Sequence, residues 1–126
     1  MVETWDEIRR WRRARRDELI RAREALPQRE RQELQAQVLA HLETRFSELR
    51  RELIGFYWPI RGEIGLHQLI RRLVEQGAEA ALPAVVEKGG PLEFRAWRPG
   101  DRLERGFWNI PVPAERKVVR PTVLLV

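Results

Sequence analysis

Apolar positions recur at helical spacing in the first half of this chain and in short runs broken by glycine and proline in the second. From Trp5 to Ala25, strong helix formers run without internal glycine or proline, which predicts a first helix. Its apolar stripe, Trp5, Ile8, Trp11, Leu19, Ala22 and Leu26, is interrupted by Arg12, Arg15 and Arg16. Pro27 suits the first turn of a second helix, where a missing N–H costs nothing. That helix is expected to run to about Leu49, with Leu34, Val38, Leu42, Phe46 and Leu49 forming one buried face.

The pattern then changes. Leu53–Trp58 is a short apolar and aromatic run closed by Pro59 and reads as a strand. Gly62 and Gly65 mark a loop, and Leu66–Gln76 is a helix carrying Leu69, Ile70 and Leu73 and ended by Gly77. Ala80–Val86 is a second apolar run, so strand, helix and strand form a parallel βαβ unit. A turn through Gly89 and Gly90 leads to Leu92–Trp97, whose alternation predicts a half-exposed strand at or near a sheet edge. Arg98–Pro113 reads as loop, and Val123–Val126 as the start of a buried strand. An apolar ending is unusual, because natural termini are polar and frayed, so a C-terminal part is expected to be missing. The fold class expected is α/β, an open, largely parallel sheet with flanking helices and two long N-terminal helices.

Composition narrows the function classes. At 126 residues the chain is about one domain, and 43% hydrophobic content with five tryptophans argues for a packed core in spite of 34% charged residues. Without cysteine it has neither disulfides nor a thiolate metal site. It lacks a run of ~18 apolar residues, which excludes a membrane-spanning helix. Its start lacks the apolar core of a secretory signal and carries too many acids for a transit peptide, so a cytoplasmic location is expected. The net charge of +5 points to anionic partners: a nucleotide, a polyanionic small molecule or nucleic acid.

Three segments carry candidate chemistry. Six arginines fall within the eight positions Arg9–Arg16, and Arg12 and Arg16 lie one turn apart on one face. Their guanidinium forks suit two oxygens of a phosphate chain; a solvated helix and a nucleic-acid surface fit the cluster as well. Phe56–Glu63 leaves the carboxyl end of the first strand, where open α/β sheets bind ligands. There Glu63 can accept hydrogen bonds from a heterocycle and Trp58 can stack on its ring, although packing and a helix-start preference explain the same residues. Gly106–Pro113 places Phe107 and Trp108 in a proline-rich loop that either lines a pocket or pins the loop. Gly89-Gly90 has no phosphate-loop signature, and His41 and His67 have no ligand spacing, so no metal is expected on this segment.

Taken in order, these features resemble one family, the 5-formyltetrahydrofolate cyclo-ligases. They are an Arg-rich first helix with a Lys/Arg-x-x-x-Arg pair, a second helix, an aromatic strand, and Pro59-x-x-Gly62-Glu63. A helix, the Gly77–Pro83 strand, Leu92-Glu-Phe-Arg-x-Trp97, Pro99-Gly-Asp101 and the Trp108-x-Ile-Pro-x-Pro113 loop follow. The resemblance spans about Arg12 to Val126.

It implies that ATP and 5-formyltetrahydrofolate are the small-molecule substrates, that the γ-phosphoryl group goes to the formyl oxygen, and that 5,10-methenyltetrahydrofolate results. It places Arg12 and Arg16 at the ATP, with Arg12 where the family usually has lysine, a change that keeps charge but not geometry. It places Trp58, Glu63 and Trp108 at the folate, with Glu63 facing the pterin. The family's glycine-rich phosphate and Mg²⁺ loop is expected beyond residue 126, so 1–126 is expected to be a single, incomplete α/β domain, the N-terminal two-thirds of the fold. The competing expectations are a nucleic-acid module built on Arg9–Arg16 and an inactive related fragment.

Overall fold

The computed structural model describes residues 4–126. Helix α1 (Trp5–Glu24) begins at a capping box, in which Thr4 Oγ1 accepts from the Glu7 amide at 3.2 Å and Glu7 Oε2 accepts from the Thr4 amide at 2.9 Å. Its apolar stripe is not a core face: α1 buries no residue, and Trp5 and Trp11 are exposed.

Helix α2 (Gln28–Arg45) is shorter than expected. It stops at Phe46 (φ −129°), and a 3₁₀ turn over Ser47–Arg51 carries the chain to the sheet. Its inward face is Arg31, Gln35, Leu39 and Leu42, whereas Leu34, Val38 and Phe46 are exposed. Both stripes have helical spacing. Leu39 joins the core cluster and Leu42 packs against it, and that long-range contact decides which stripe faces inward.

Strand β1 (Leu53–Phe56), helix α3 (His67–Glu75) and strand β2 (Glu79–Val85) form the βαβ unit, with β1 and β2 parallel in the register Ile54↔Ala80. Helix α3 buries Leu69, Ile70 and Leu73 against the sheet. It ends in a Schellman motif: Gly77 takes φ +114°, its amide donates to Val74 O at 3.1 Å, and the Ala78 amide donates to Leu73 O at 2.9 Å.

Strand β3 (Leu92–Trp97) runs antiparallel to β2, and β6 (Val118–Val119) pairs antiparallel with β3. Strand β7 (Val123–Leu125) pairs parallel with β1. The order is β6-β3-β2-β1-β7, with every strand but β3 running the same way. The sheet is therefore mixed but largely parallel, flanked by helices, as the α/β expectation had it. Strand β3 is covered by only two residues of β6. Strand β7 is not buried but outermost, with Leu124 half-exposed.

The segment expected to be loop contains a hairpin, β4 (Leu103–Arg105) and β5 (Pro111–Pro113), paired as Leu103↔Pro113 and Arg105↔Pro111. Ala114 donates to Arg102 O at 3.0 Å and Gly106 to Ile110 O at 2.9 Å, so both prolines fall at the alternate pairs that exchange no hydrogen bonds. Two prolines that hide the strand in the sequence thus cost it no ladder bond.

Candidate functional site

Strands β1, β2 and β7 run parallel, so Tyr57, Val85 and Val126 all emerge at the carboxyl edge of the sheet, where β3 begins at Leu92. Together with the β4–β5 hairpin they enclose a cavity of about 330 Å³, within the range of small-molecule sites. Tyr57, Trp58, Ile60, Phe107, Trp108 and Glu63 line it, so its walls are apolar and aromatic with a carboxylate at one side.

Each wall is held by identifiable packing. Trp58 stands edge-on to His67, with ring centroids 4.2 Å apart, and Tyr57 meets Phe94 in a second edge contact at 6.4 Å. His67 Nε2 is buried without a partner, and burial lowers the imidazole pKa below 6.5, so the ring serves as a neutral support behind Trp58. Trp108 itself is mostly exposed where it borders the cavity, and it and Asn109 have left-handed backbone (φ +53° and +61°) at the loop tip.

The hairpin carrying Phe107 and Trp108 is pinned to the sheet by an ion network. Arg95 Nε donates to Glu93 Oε2 at 3.0 Å, and Arg95 Nη1 donates to Pro113 O at 3.2 Å. Arg116 closes on the other side of Glu93 with Nη2 to Oε1 at 2.6 Å. Hydrogen bonds from Arg116 and then Arg95 hold the Glu93 carboxyl at about 2.

Glu63 closes a tight turn: its amide donates to Ile60 O at 3.0 Å, across Arg61 and Gly62, both at positive φ. Beyond this turn lies a second, open groove of about 530 Å³, lined by Arg12, Arg16, Leu19 and Arg23 along one stripe of α1, flanked by Trp11, Arg15 and Ile20, and reaching Glu63. Arg12 and Arg16 therefore share a groove, as their spacing predicts. Glu63 belongs to the walls of both cavities.

Trp58, Glu63 and Trp108 thus meet at one cavity, and Arg12 and Arg16 at the neighbouring groove. Sequence reasoning missed Arg31 and Gln35 of α2. Arg31 Nη2 donates to Arg23 O at 2.9 Å, and Gln35 Oε1 accepts from the Gly65 amide at 3.0 Å. Polar residues at i, i+4 read as solvated face, and only their burial marks them. Glu93, Arg95 and Arg116 were missed too, because the contacts that tie them together beyond β3, Arg95 to Pro113 and Arg116 to Glu93, span 18 and 23 positions. Among the described residues no group of three or more His, Cys, Asp or Glu is placed to hold a metal ion. No helix among them is long and apolar enough to cross a membrane.

These features define an α/β protein with an aromatic cavity at the carboxyl edge of its sheet and a cationic groove beside it. The chain belongs to the 5-formyltetrahydrofolate cyclo-ligase family, whose model matches residues 8–124. Its fold is similar to the NMR structure of Aquifex aeolicus 5,10-methenyltetrahydrofolate synthetase, with a TM-score of 0.74 at 24% identity over 88% of this chain. The 5,10-methenyltetrahydrofolate synthetase of Mycoplasma pneumoniae matches with a TM-score of 0.58 at 18% identity, over 77% of this chain and 71% of that one. The chain spans 57% of the Aquifex protein. Comparison with curated protein sequences finds no match.

Proposed function

We propose that this chain provides the folate pocket and the nucleotide-phosphate helix of an ATP-dependent ligase that converts 5-formyltetrahydrofolate to 5,10-methenyltetrahydrofolate. In this reading the formyl oxygen attacks the γ-phosphorus of ATP and ADP departs. The folate N10 then attacks the activated formyl carbon, and phosphate leaves as the ring closes. An amide-like formyl oxygen is a poor leaving group, and phosphorylation makes it a good one. The protein's share is positioning and charge stabilisation.

Trp58 and Trp108 bracket the flat pterin, and Glu63 accepts hydrogen bonds from its N–H groups. Arg12 and Arg16 hold the phosphate chain with forked donors. The observation that carries this reading is the double role of Glu63, which stands in the wall of the aromatic cavity and of the arginine groove. Two substrates that must react with each other need adjoining sites. A cytoplasmic, soluble setting accords with these substrates.

The test is ATP-dependent appearance of the near-UV-absorbing methenyl product from purified protein carrying this chain. Product only when both substrates are present supports the reading; none under any condition with folded protein sinks it. A second reading is favoured by Arg9, Arg10 and Arg13, which lie exposed outside the groove. A nucleic-acid surface there predicts binding that weakens by orders of magnitude as salt rises.

A further inference from the structure

Helix α1 carries the arginines of the groove yet buries no residue. Among the described residues, every side-chain hydrogen bond or ion pair tying it to another element is made at its C-terminal end. Arg31 Nη2 donates to Arg23 O at 2.9 Å, to Glu24 O at 3.3 Å and to Leu26 O at 3.4 Å. Arg23 Nε donates to Arg61 O at 2.9 Å, and Glu24 pairs with Arg61 at 3.7 Å. Opposite these groups lies the positive-φ turn before Glu63. A Cβ on Gly62 would stand 3.3 Å from both Arg23 O and Arg31 Nη2, so the turn is seated directly on the joint. Four residues along α2, Gln35 fastens the far end of the same loop at the Gly65 amide.

Resting on the function proposed above, we infer that Arg31 is a positioning residue for the nucleotide. Its guanidinium reaches from α2 to the carbonyls at the end of α1, beside the Glu63 turn that Arg23 and Glu24 hold through Arg61, and so sets the angle at which Arg12 and Arg16 face the pterin pocket. The lever is long. Arg16 and Arg12 lie roughly 10 and 16 Å up the helix from Arg23, so a swing of about 10° at the joint displaces Arg12 by about 3 Å. Displacements of about 1 Å cost reacting groups up to ~100-fold. Arg31 also keeps its Nε buried without a partner, an unpaired donor that burial does not favour. The folate walls Trp58 and Trp108 are fixed by His67 and by the hairpin, independently of this joint.

The test compares Arg31→Ala and Arg31→Lys with the unaltered protein. The expected result in Arg31→Ala is a KM for ATP raised about tenfold or more, with the KM for 5-formyltetrahydrofolate within about twofold. Arg31→Lys should recover part of the loss, because a lysine keeps the charge and can donate to these carbonyls but lacks the planar guanidinium that packs beside Gly62. Arg31→Lys carries the test if Arg31→Ala does not fold: its KM for ATP should still rise severalfold, with the KM for the folate within about twofold. Equal increases in both KM values, or an unchanged KM for ATP, would overturn the inference.

Since the chain has no cysteine, spin labels at Arg13→Cys and Arg71→Cys report the α1–α3 distance without turnover. A broadened distance distribution in Arg31→Ala supports the joint even where the unaltered protein makes no product, an outcome that fails the proposed function alone. An unchanged distribution overturns the joint itself.

Discussion

Arg116 grips the Glu93 carboxylate with two donors, Nε to Oε2 at 2.9 Å and Nη2 to Oε1 at 2.6 Å. Arg95 shares the same carboxylate and reaches on to Pro113 O, so a single anion joins β3 to the hairpin that carries Trp108. Glu93 has its pKa lowered from 4.5 to about 2, so the unfolded chain takes up the proton first as the medium is acidified. The stabilisation is present in full above pH ~4.5 and is lost as pH falls through 2. Glu93→Gln should therefore be less stable than the unaltered protein at pH 7, and the gap should close toward pH 2. Thermal unfolding across that window checks it; a gap independent of pH would contradict the assignment.

A second pH dependence belongs to His67. Burial lowers its pKa below 6.5, so the folded protein prefers the neutral ring while the unfolded chain is protonated first. Stability from this group is therefore complete above pH 6.5 and falls as pH drops through the lowered value. His67→Phe, which keeps a ring behind Trp58, should show a smaller loss of Tm between pH 7.5 and 5.5. An equal loss in both proteins would rule His67 out as the source.

Gly55 sits at the middle of β1 with no room for a side chain. A Cβ there would lie 2.7 Å from Leu124 Cδ2, 2.9 Å from Phe94 Cε1 and 3.0 Å from Pro121. Gly55→Ala should destabilise by about 1–3 kcal/mol, because β7 and the Phe94 ring must move apart to admit one methyl. Denaturant unfolding measures it, and a neutral effect would mean that β7 is loosely held.

On the proposed function, the two cavities should give separable kinetics. Arg16→Ala removes a forked donor to the phosphates and should raise the KM for ATP, with little change for the folate. Glu63→Gln removes the charge from hydrogen bonds to the pterin, worth about 1.5–3 kcal/mol, and should weaken folate use about tenfold or more. Steady-state product formation with each substrate varied reads both. Normal kinetics in the two variants would discredit these residue roles.

Much of this was legible in the sequence where a local pattern and a long-range contact agree. Leu69, Ile70 and Leu73 followed by Gly77 read as a helix and its stop, and the Schellman geometry at Gly77 is what that glycine is for. Pro59-x-x-Gly62-Glu63 marked the loop at the strand's carboxyl end, and Gly62 proves to need its positive φ. Where two patterns compete, local reading fails. On α2 the apolar stripe Leu34, Val38 and Phe46 outranks Arg31, Gln35 and Leu39 by hydrophobicity, yet Leu39 reaches the core and Arg31 finds three carbonyls. The hairpin escaped notice because Pro111 and Pro113 argue against a strand unless the pairing that excuses them is known. Arg12 and Arg16 were recognisable as a pair from spacing alone, but the groove they share with Glu63 depends on long-range contacts of Arg23 and Glu24 with Arg61 that no local pattern shows.

The central claim, that Trp58, Glu63 and Trp108 enclose a folate, is tested most directly by equilibrium binding of labelled 5-formyltetrahydrofolate without ATP. The account predicts saturable binding at one site per chain, weakened about tenfold or more in Trp108→Ala and in Glu63→Gln, with both variants folded. Saturable binding that is unchanged in both variants would contradict it.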